Sequence, residues 1–162
     1  MAPRVRMPQP VELGEYRATT IAHPLMNFRN NGYLSESVMG YILPVWQRGI
    51  VWDEARSIKF IESLWRGIPV GTFTYNQLYD SPYDNMLIDG QQRMYSLQRY
   101  FEDRFPVFGC FYSETDIIDK RSFEMGTHFH CYVTKTNSEQ YLRDYYNLMN
   151  FSGVAHKESE RA

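Results

Sequence analysis

Apolar residues recur at helical spacing between Asp53 and Gly67. The positions that share one helical face are Ile58, Ile61, Leu64 and Trp65. Asp53 is a residue type that caps helix N-termini, and Gly67 followed by Pro69 is typical of a helix end. The pattern therefore predicts a capped amphipathic helix, which is the clearest helix in the chain.

Two short β-patterned segments follow that helix. The stretch "VGTFTYNQLY" is rich in β-forming residues, "DSPYDN" contains turn residues, and "MLID" is a second apolar strand. We expect a hairpin-like pair of strands that ends at Asp89.

Upstream, the apolar run from Tyr41 to Val45 is interrupted by Pro44. This interruption predicts an edge strand that leads into a loop containing Gln47 and Arg48.

The rest of the chain mixes helical and strand patterns. A helix from Gln91 to about Asp103 has Met94, Leu97 and Phe101 on one face. Strands are predicted at "FPVFGCFY" and "HFHCYVT", and a last helix from Ser138 to about Met149. Because helices and strands do not alternate regularly, we expect an α+β fold and not a doubly wound parallel sheet.

Residues 1–31 show little periodicity and contain Pro3, Pro8, Pro10 and Pro24. This composition predicts an extended leader that wraps around a folded domain of residues 32–162. A chain of 162 residues is covered by one core of ordinary size. We therefore expect a single domain and no second one.

Composition and charge argue against several classes of protein. The formal net charge of −2 lacks the basic excess of proteins that grip a nucleic-acid backbone, so any DNA contact requires a local patch. No stretch approaches the roughly 18 apolar residues of a membrane span, and the first residues lack the apolar centre of a secretory signal. We expect a cytoplasmic protein without membrane contact, and we expect Cys110 and Cys131 to be reduced thiols.

The stretch "LIDGQQRMYSL" carries the most distinctive chemistry. A structural interpretation makes Asp89 the N-cap and Gln92 the third helical residue of a capping box. That interpretation does not explain Gly90, which costs about 1 kcal/mol in a helix unless the backbone needs an unusual angle or a close approach. Alternatively, a glycine between a strand and a helix aims backbone N–H groups at an anion, and Arg93 lies one turn further along.

Two motifs resemble a known family. The segment "YILPVWQRGIVWDEARSIKFIESLWRGIPVGTF", followed by "LIDGQQRMYSL", is similar to the N-terminal domain of GmrSD-type restriction proteins, the domain of unknown function 262 family. That family belongs to the ParB/sulfiredoxin-like superfamily. Its Pro-x-x-Gln-Arg motif corresponds to Pro44, Gln47 and Arg48, and its Asp-Gly-Gln-Gln-Arg motif to residues 89–93. A weaker match to an Asn-x-x-Gly segment involves Asn150 and Gly153.

The resemblance implies a compact α+β domain with a small mixed sheet, flanking helices and one cleft lined by both motifs. In the family that cleft binds, and in several members hydrolyses, a nucleoside triphosphate with a divalent metal, which we expect to be Mg²⁺. If the roles of the family motifs hold in this chain, Arg48 and Arg93 would hold phosphates, and Gly90 would allow the backbone to approach them. Polar contacts would come from Gln47, Gln91 and Gln92, while Asp89 would position metal or water. The catalytic candidates are then Asp89, Gln92 and Arg93.

The chain departs from large family members, which use this domain to control a C-terminal nuclease domain. It ends before such a domain could begin, so we expect a standalone copy that acts in restriction or phage–host conflict. One alternative is a metal-dependent DNA-nicking nuclease or a DNA-binding factor. Another is a non-enzymatic inhibitor that contacts a host protein complex. The nucleotide base, the host or phage protein partner and the oligomeric state stay open.

Overall fold

The computed structural model describes residues 4–10, 12–34, 36–47 and 52–151, except for the side chain of Phe151. It confirms the expected α+β class with a mixed sheet and flanking helices. The strands are β1 (Glu15–Arg17), β2 (Ser37–Val38), β3 (Tyr41–Ile42), β4 (Phe73–Asn76), β5 (Met86–Asp89) and β6 (Cys131–Thr134). The helices are α1 (Ala22–Asn31), α2 (Glu54–Trp65), α3 (Gln91–Phe101), α4 (Ile117–Gly126) and α5 (Glu139–Phe151).

The sheet has the strand order β1-β6-β4-β5-β3-β2. The central pair β4 and β5 is antiparallel, as the hairpin pattern predicted, whereas β4 pairs with β6 and β3 pairs with β5 in parallel. The prediction of an edge strand at Tyr41 was wrong, because β3 lies between β5 and β2. Pro44 is compatible with this interior position because it follows the strand.

Side-chain alternation along β4 and β5 gives each face of the sheet its own core. Phe73, Tyr75 and Leu87 face the larger cluster, which also contains residues of α1, α2 and α3. Met86 and Ile88 face the smaller cluster formed with α5. The α5 residues Tyr145 and Tyr146 are buried there. The sheet is therefore covered on both faces.

Helix α2 begins and ends as the sequence predicted. The Asp53 carboxylate accepts a hydrogen bond from the Arg56 N–H at 2.8 Å, which caps the first turn. Gly67 has a φ of 70°, and Ile68 donates to the Ser63 carbonyl at 2.9 Å across the helix end. This helix packs against α3, where the hydroxyls of Ser57 and Ser96 are joined at 2.8 Å.

The structure differs from the expected extended leader over residues 1–31. Residues 15–17 form β1, which pairs with β6, and residues 22–31 form α1, whose Leu25 is buried. The helix tolerates Pro24 because proline in a first helical turn removes no intrahelical hydrogen bond. Residues 15–31 are thus part of the sheet and of the core.

The predicted strand at residues 105–112 is also wrong. Its apolar residues Phe105 and Val107 are buried, but the backbone forms only an isolated bridge between Val107 and Cys110. Helix α4, which the sequence pattern missed, follows shortly after. Both cysteines are free thiols, as expected. Among the described residues, no helix is both long and apolar enough to cross a membrane.

The buried side chain of Asn76, the last residue of β4, links this strand to neighbouring segments. Its Oδ1 accepts hydrogen bonds from the Thr134 hydroxyl at 2.7 Å and the Thr136 N–H at 3.1 Å. Its Nδ2 donates to the carbonyls of Tyr83 and Thr136, both at 2.9 Å. One fully satisfied amide therefore joins β4 to two loops.

Replacing Asn76 tests this junction. The Asn76→Ala variant removes the partner of the buried Thr134 hydroxyl and of three partly buried backbone groups. We therefore expect it to lose about 3 kcal/mol of unfolding free energy. Asn137→Ala is the matched control, because that exposed amide accepts one hydrogen bond from Ser81 at 2.6 Å. We expect the control to lose no more than about 0.5 kcal/mol. Urea unfolding measures both, and equal losses would contradict the assigned role of Asn76.

Candidate functional site

The candidate site is built on the turn between β5 and α3. Gly90 makes this turn with a φ of 99° and a ψ of 20°, a left-handed conformation that favours glycine. A Cβ atom at Gly90 would lie 2.7 Å from the Phe73 Cβ on β4. Both the backbone angle and the close approach of the two strands therefore require glycine here.

Gly90, and not Asp89, is the N-cap of α3, so the predicted capping box is wrong. Gln92 is the second residue of the helix, and its Oε1 accepts a hydrogen bond from the Trp52 N–H at 2.9 Å. No side chain among the described residues caps α3. The first-turn N–H groups, at the positive end of the helix dipole, are thus left without a side-chain cap.

Asp89 lies at the end of β5, beside this helix start. Its side chain is 23% exposed, and its Oδ2 lies 3.7 Å from the Nη2 of Arg93. Burial raises the pKa of Asp89, although the Arg93 guanidinium and the Gly90 N–H both act to lower it. The net upward direction means that the folded protein disfavours the ionised carboxylate, a situation typical of functional sites.

Arg93 is held in place by the segment that leads into β4. Its Nη2 donates to the Thr72 carbonyl at 2.6 Å, and its Nη1 donates to the Val70 carbonyl at 3.4 Å. A Cβ atom at Gly71 would lie 3.0 Å from Nη1, so glycine leaves room for the guanidinium. The Nε of Arg93 is buried without a partner among the described residues. Sequence reasoning missed this segment because it contributes backbone carbonyls, which leave no side-chain signature.

The two predicted motifs meet at this site. The Nε2 of Gln47 donates to the carbonyls of Leu87 at 2.7 Å and Ile88 at 3.1 Å, immediately before Asp89. Together with the contact between Gln92 and Trp52, this anchors both flanks of residues 48–51 to the junction of β5 and α3. Arg48 itself lies outside the described residues.

Gln91 differs from Gln47 and Gln92 because its side chain has no hydrogen-bond partner among the described residues. It is half-buried at the first position of α3. Its donor and acceptor groups are therefore free for a ligand. Gln91 is thus the motif side chain best placed to test ligand binding without disturbing the fold.

The tryptophans near the site are engaged in packing. The Trp46 ring contacts Tyr146, with ring centroids 5.4 Å apart, and Arg143 lies over it. The Trp52 ring packs against Phe60, and the Arg56 guanidinium lies 4.7 Å from its centroid. Trp52 thus performs the packing role expected of an apolar residue that precedes a helix cap.

His128 and His130 come close together but do not form a good metal pair. Their ring centroids are 5.3 Å apart, and the Nδ1 of His130 accepts a hydrogen bond from the Thr19 N–H at 3.1 Å. Neutral His130 therefore carries its proton on Nε2, and binding a metal there would break the bond to Thr19. No group of three or more His, Cys, Asp or Glu residues suited to a metal occurs within the described ranges.

The weaker third motif is described only in part. Asn150 donates from Nδ2 to the Tyr146 carbonyl at 2.8 Å, which is a contact within α5. Gly153 lies outside the described residues. The described contact of Asn150 is thus local to its helix.

Comparison with known proteins establishes the family. A family model described as "GmrSD restriction endonuclease, N-terminal domain" matches residues 24–161. This match covers most of the chain, so the protein belongs to that family, as the two motifs suggested. The membership supports a restriction-type context in defence against phage. No curated protein and no solved structure matches the chain.

The close approach at Gly90 predicts that an alanine substitution costs more unfolding free energy there than at Gly67. Gly90→Ala combines a left-handed backbone with an overlap against Phe73, so we expect a loss of about 3 kcal/mol in unfolding free energy. Gly67→Ala is the matched control, because Gly67 has a φ of 70° and no atom within 4 Å of an added Cβ. We expect about 1 kcal/mol for the control. Similar losses in urea unfolding would refute the packing role of Gly90.

The raised pKa of Asp89 predicts a pH-dependent gain in stability for Asp89→Asn. Above the folded pKa, the wild type carries a poorly solvated carboxylate that the variant lacks, so the variant should unfold at higher urea concentration at pH 7. The difference should shrink as pH falls through the folded pKa and vanish below the unfolded value of about 3.9, where the wild-type carboxyl is neutral in both states. Urea midpoints measured across this pH range check the sign. A variant less stable than wild type at pH 7 would show that the ion pair with Arg93 outweighs the desolvation of Asp89.

Proposed function

We propose that the junction of β5 and α3 binds a nucleoside triphosphate together with Mg²⁺. The observation that carries this proposal is the uncapped, glycine-initiated start of α3 beside the disfavoured carboxylate of Asp89. The helix start offers N–H groups to an anion, while the carboxylate offers an oxygen ligand to a cation. A triphosphate with its magnesium ion satisfies both requirements at once.

The carboxylate of Asp89 fits the role of metal ligand. Magnesium prefers oxygen ligands and is usually held by one or two carboxylates together with phosphate oxygens. Asp89 is partly exposed, and a bound cation would stabilise the ionised form that burial disfavours. When bound, the ion would neutralise phosphate charge beside this residue.

Arg93 has a positioning role and an electrostatic role in this proposal. Its guanidinium holds the carbonyls of Val70 and Thr72 and approaches Asp89, which fixes the walls of the site. Its positive charge favours phosphate at the same helix start. Gly90 permits the backbone geometry that exposes the N–H groups. Arg48, from the first motif, is the second cation that we assign to the phosphates.

The glutamines divide into two groups by their present contacts. Gln47 and Gln92 are bonded to backbone groups, so they shape the site. Gln91 is uncommitted and is our candidate for direct contact with the nucleotide. The Gln92 oxygen accepts from the Trp52 N–H, which fixes the orientation of this amide and leaves its second lone pair and its Nε2 for a ligand or a water.

DNA is the second candidate ligand. The family description names a restriction endonuclease, whose substrate class is DNA. The net charge of −2 argues against tight binding of a nucleic-acid backbone. A DNA contact would therefore have to be local, and we keep the triphosphate as the leading candidate.

Calorimetric titration of ATP, GTP, CTP and UTP with Mg²⁺ tests the proposal. We expect wild type to bind at least one triphosphate and Gln91→Ala to bind it roughly tenfold more weakly, as loss of about one hydrogen bond implies. Gln140→Ala is the matched control, because Gln140 is an exposed amide on α5 whose contact is with Asp144. We expect the control to keep wild-type affinity.

Other results would contradict the proposal. Failure of all four triphosphates to bind wild type would reject it, and unchanged affinity in Gln91→Ala would reject the role of Gln91. A duplex DNA oligonucleotide titrated under the same conditions tests the second candidate. Binding of DNA without binding of any triphosphate would replace our proposal with the DNA alternative.

A further inference from the structure

The outer face of helix α4 carries large apolar side chains that lie open to solvent. Ile118 is 74% exposed and Met125 is 67% exposed. They are spaced by about two helical turns, so they project from the same face of the helix. Single exposed apolar residues are normal, whereas several on one face indicate a contact surface. We call Ile118 and Met125 the apolar ridge.

The charged residues of α4 that are half-buried hold the helix against the rest of the domain. Lys120 donates from Nζ to the Ser113 carbonyl at 3.0 Å. The Glu124 carboxylate accepts from the Tyr112 hydroxyl at 2.6 Å and pairs with Arg29 at 3.2 Å. A surface helix normally shows the opposite polarity, with apolar residues inward and charged residues outward. The outer face of α4 is therefore suited to a partner and not to water.

An open groove of about 510 Å³ lies beside the apolar ridge. One wall includes Ser122 and Gly126 of α4, and the other wall includes the segment 67–72 that follows α2. Ile68 in that segment is 47% exposed, and Val70 is half-buried, so both are accessible from solvent. Among the described residues that line the groove, none is Asp, Glu, Lys or Arg. The groove thus suits an uncharged, apolar group.

The ridge and the groove together match a second copy of the same chain. A twofold interface brings the same patch of both subunits together, so that patch must be complementary to itself. A patch with projecting apolar side chains next to an uncharged groove meets this requirement, because each ridge can enter the groove of the other subunit. A small ligand would fill the groove and leave the ridge in water.

We propose that the chain forms a twofold dimer through this patch. Ile118 and Met125 of one subunit pack against Ile68 and Val70 of the other, which removes the exposed apolar surface from water. Ser122 lies one helical turn from each ridge residue and also lines the groove, so the twofold axis passes near it.

The dimer contact touches the segment that positions Arg93. The carbonyls of Val70 and Thr72 accept hydrogen bonds from the Arg93 guanidinium, and both residues line the groove. Pairing of two subunits therefore braces the segment that holds this arginine. Dimer formation itself does not depend on triphosphate binding.

Sedimentation velocity of the full chain, without nucleotide, tests the proposal. We expect a species of twice the chain mass of 19.3 kDa to form as the concentration rises from about 1 to about 100 µM. The dimer should persist when NaCl is raised from about 0.1 to about 0.5 M, because salt screens charges and not apolar contacts. A monomer at every concentration would overturn the proposal, and so would dissociation of the dimer by salt.

Charge placed on the ridge separates this surface from others. Ile118→Glu and Met125→Glu each bring a carboxylate into an uncharged groove, so we expect at least tenfold weaker dimerisation. Both positions are exposed, so the circular dichroism spectrum should stay unchanged. Tyr79→Glu is the matched control, because Tyr79 is 93% exposed in the turn between β4 and β5. Wild-type dimerisation in both ridge variants would overturn the proposal, as would equal weakening in the control.

A cysteine at Ser122 tests the twofold geometry. The background is Cys110→Ser, which removes the half-buried native thiol. A residue near a twofold axis meets its own copy, so oxidation of Ser122→Cys by oxidised glutathione should link most chains into covalent dimers. Tyr79→Cys in the same background is the control and should link only by random collision. Equal yields of covalent dimer from the two variants would overturn the proposed geometry.

Discussion

The contact between Gly90 and Phe73 is the constraint on which the candidate site depends. The space for a Cβ atom at Gly90 is already taken by Phe73, so the backbone turns into α3 directly against β4. This turn sets the direction of α3 and therefore brings Arg93 to the carbonyls of Val70 and Thr72. The same helix direction lets Gln92 reach the Trp52 N–H. One close backbone approach thus organises three separate segments around Asp89.

The features that could be predicted correctly are those whose sequence signals lie within the element itself. Helix α2 could be predicted because its cap at Asp53, its apolar period and its glycine end all lie within the segment itself. The β4–β5 hairpin was predicted for the same reason, since turn residues separate two apolar runs. Strand β1 pairs with β6, which lies more than a hundred residues away, and no local pattern reports such a partner. The apolar residues at 105–112 were read as a strand because burial alone does not specify a sheet partner.

The sequence indicated that the two motifs would lie close together, but it did not indicate which atoms their side chains would contact. The motif residues Gln47 and Asp89–Arg93 do come together, as their resemblance to a family implied. The role of each motif side chain depends on which of its atoms already have partners. The partners of Gln47, Gln92 and Arg93 include four backbone carbonyls and one N–H. Backbone groups are the same at every residue, so a sequence does not reveal which of them a side chain will meet. Gln91 and Gln92 are the same residue type in sequence, and only the fold shows that Gln92 accepts a hydrogen bond while the Gln91 side chain has no partner among the described residues.

Polar groups that are energetically unfavourable in the folded state lie at both ends of the β4–β5 pair. Asp89 keeps a carboxylate that burial disfavours at one end, and Tyr41 keeps an unpartnered hydroxyl at the other. Near the Tyr41 end, Asn76 has every hydrogen bond of its amide satisfied within the core. Proteins violate the rules of polar satisfaction mainly at functional sites and compensate elsewhere. Arg93, beside Asp89, keeps a third such group, a buried Nε without a partner among the described residues. Two of the three exceptions therefore lie at the candidate site, whereas the Asn76 amide is satisfied, and this distribution fits ligand binding at the site better than loose packing. In a domain selected for stability alone, phenylalanine in place of Tyr41 and asparagine in place of Asp89 would remove both unfavourable groups.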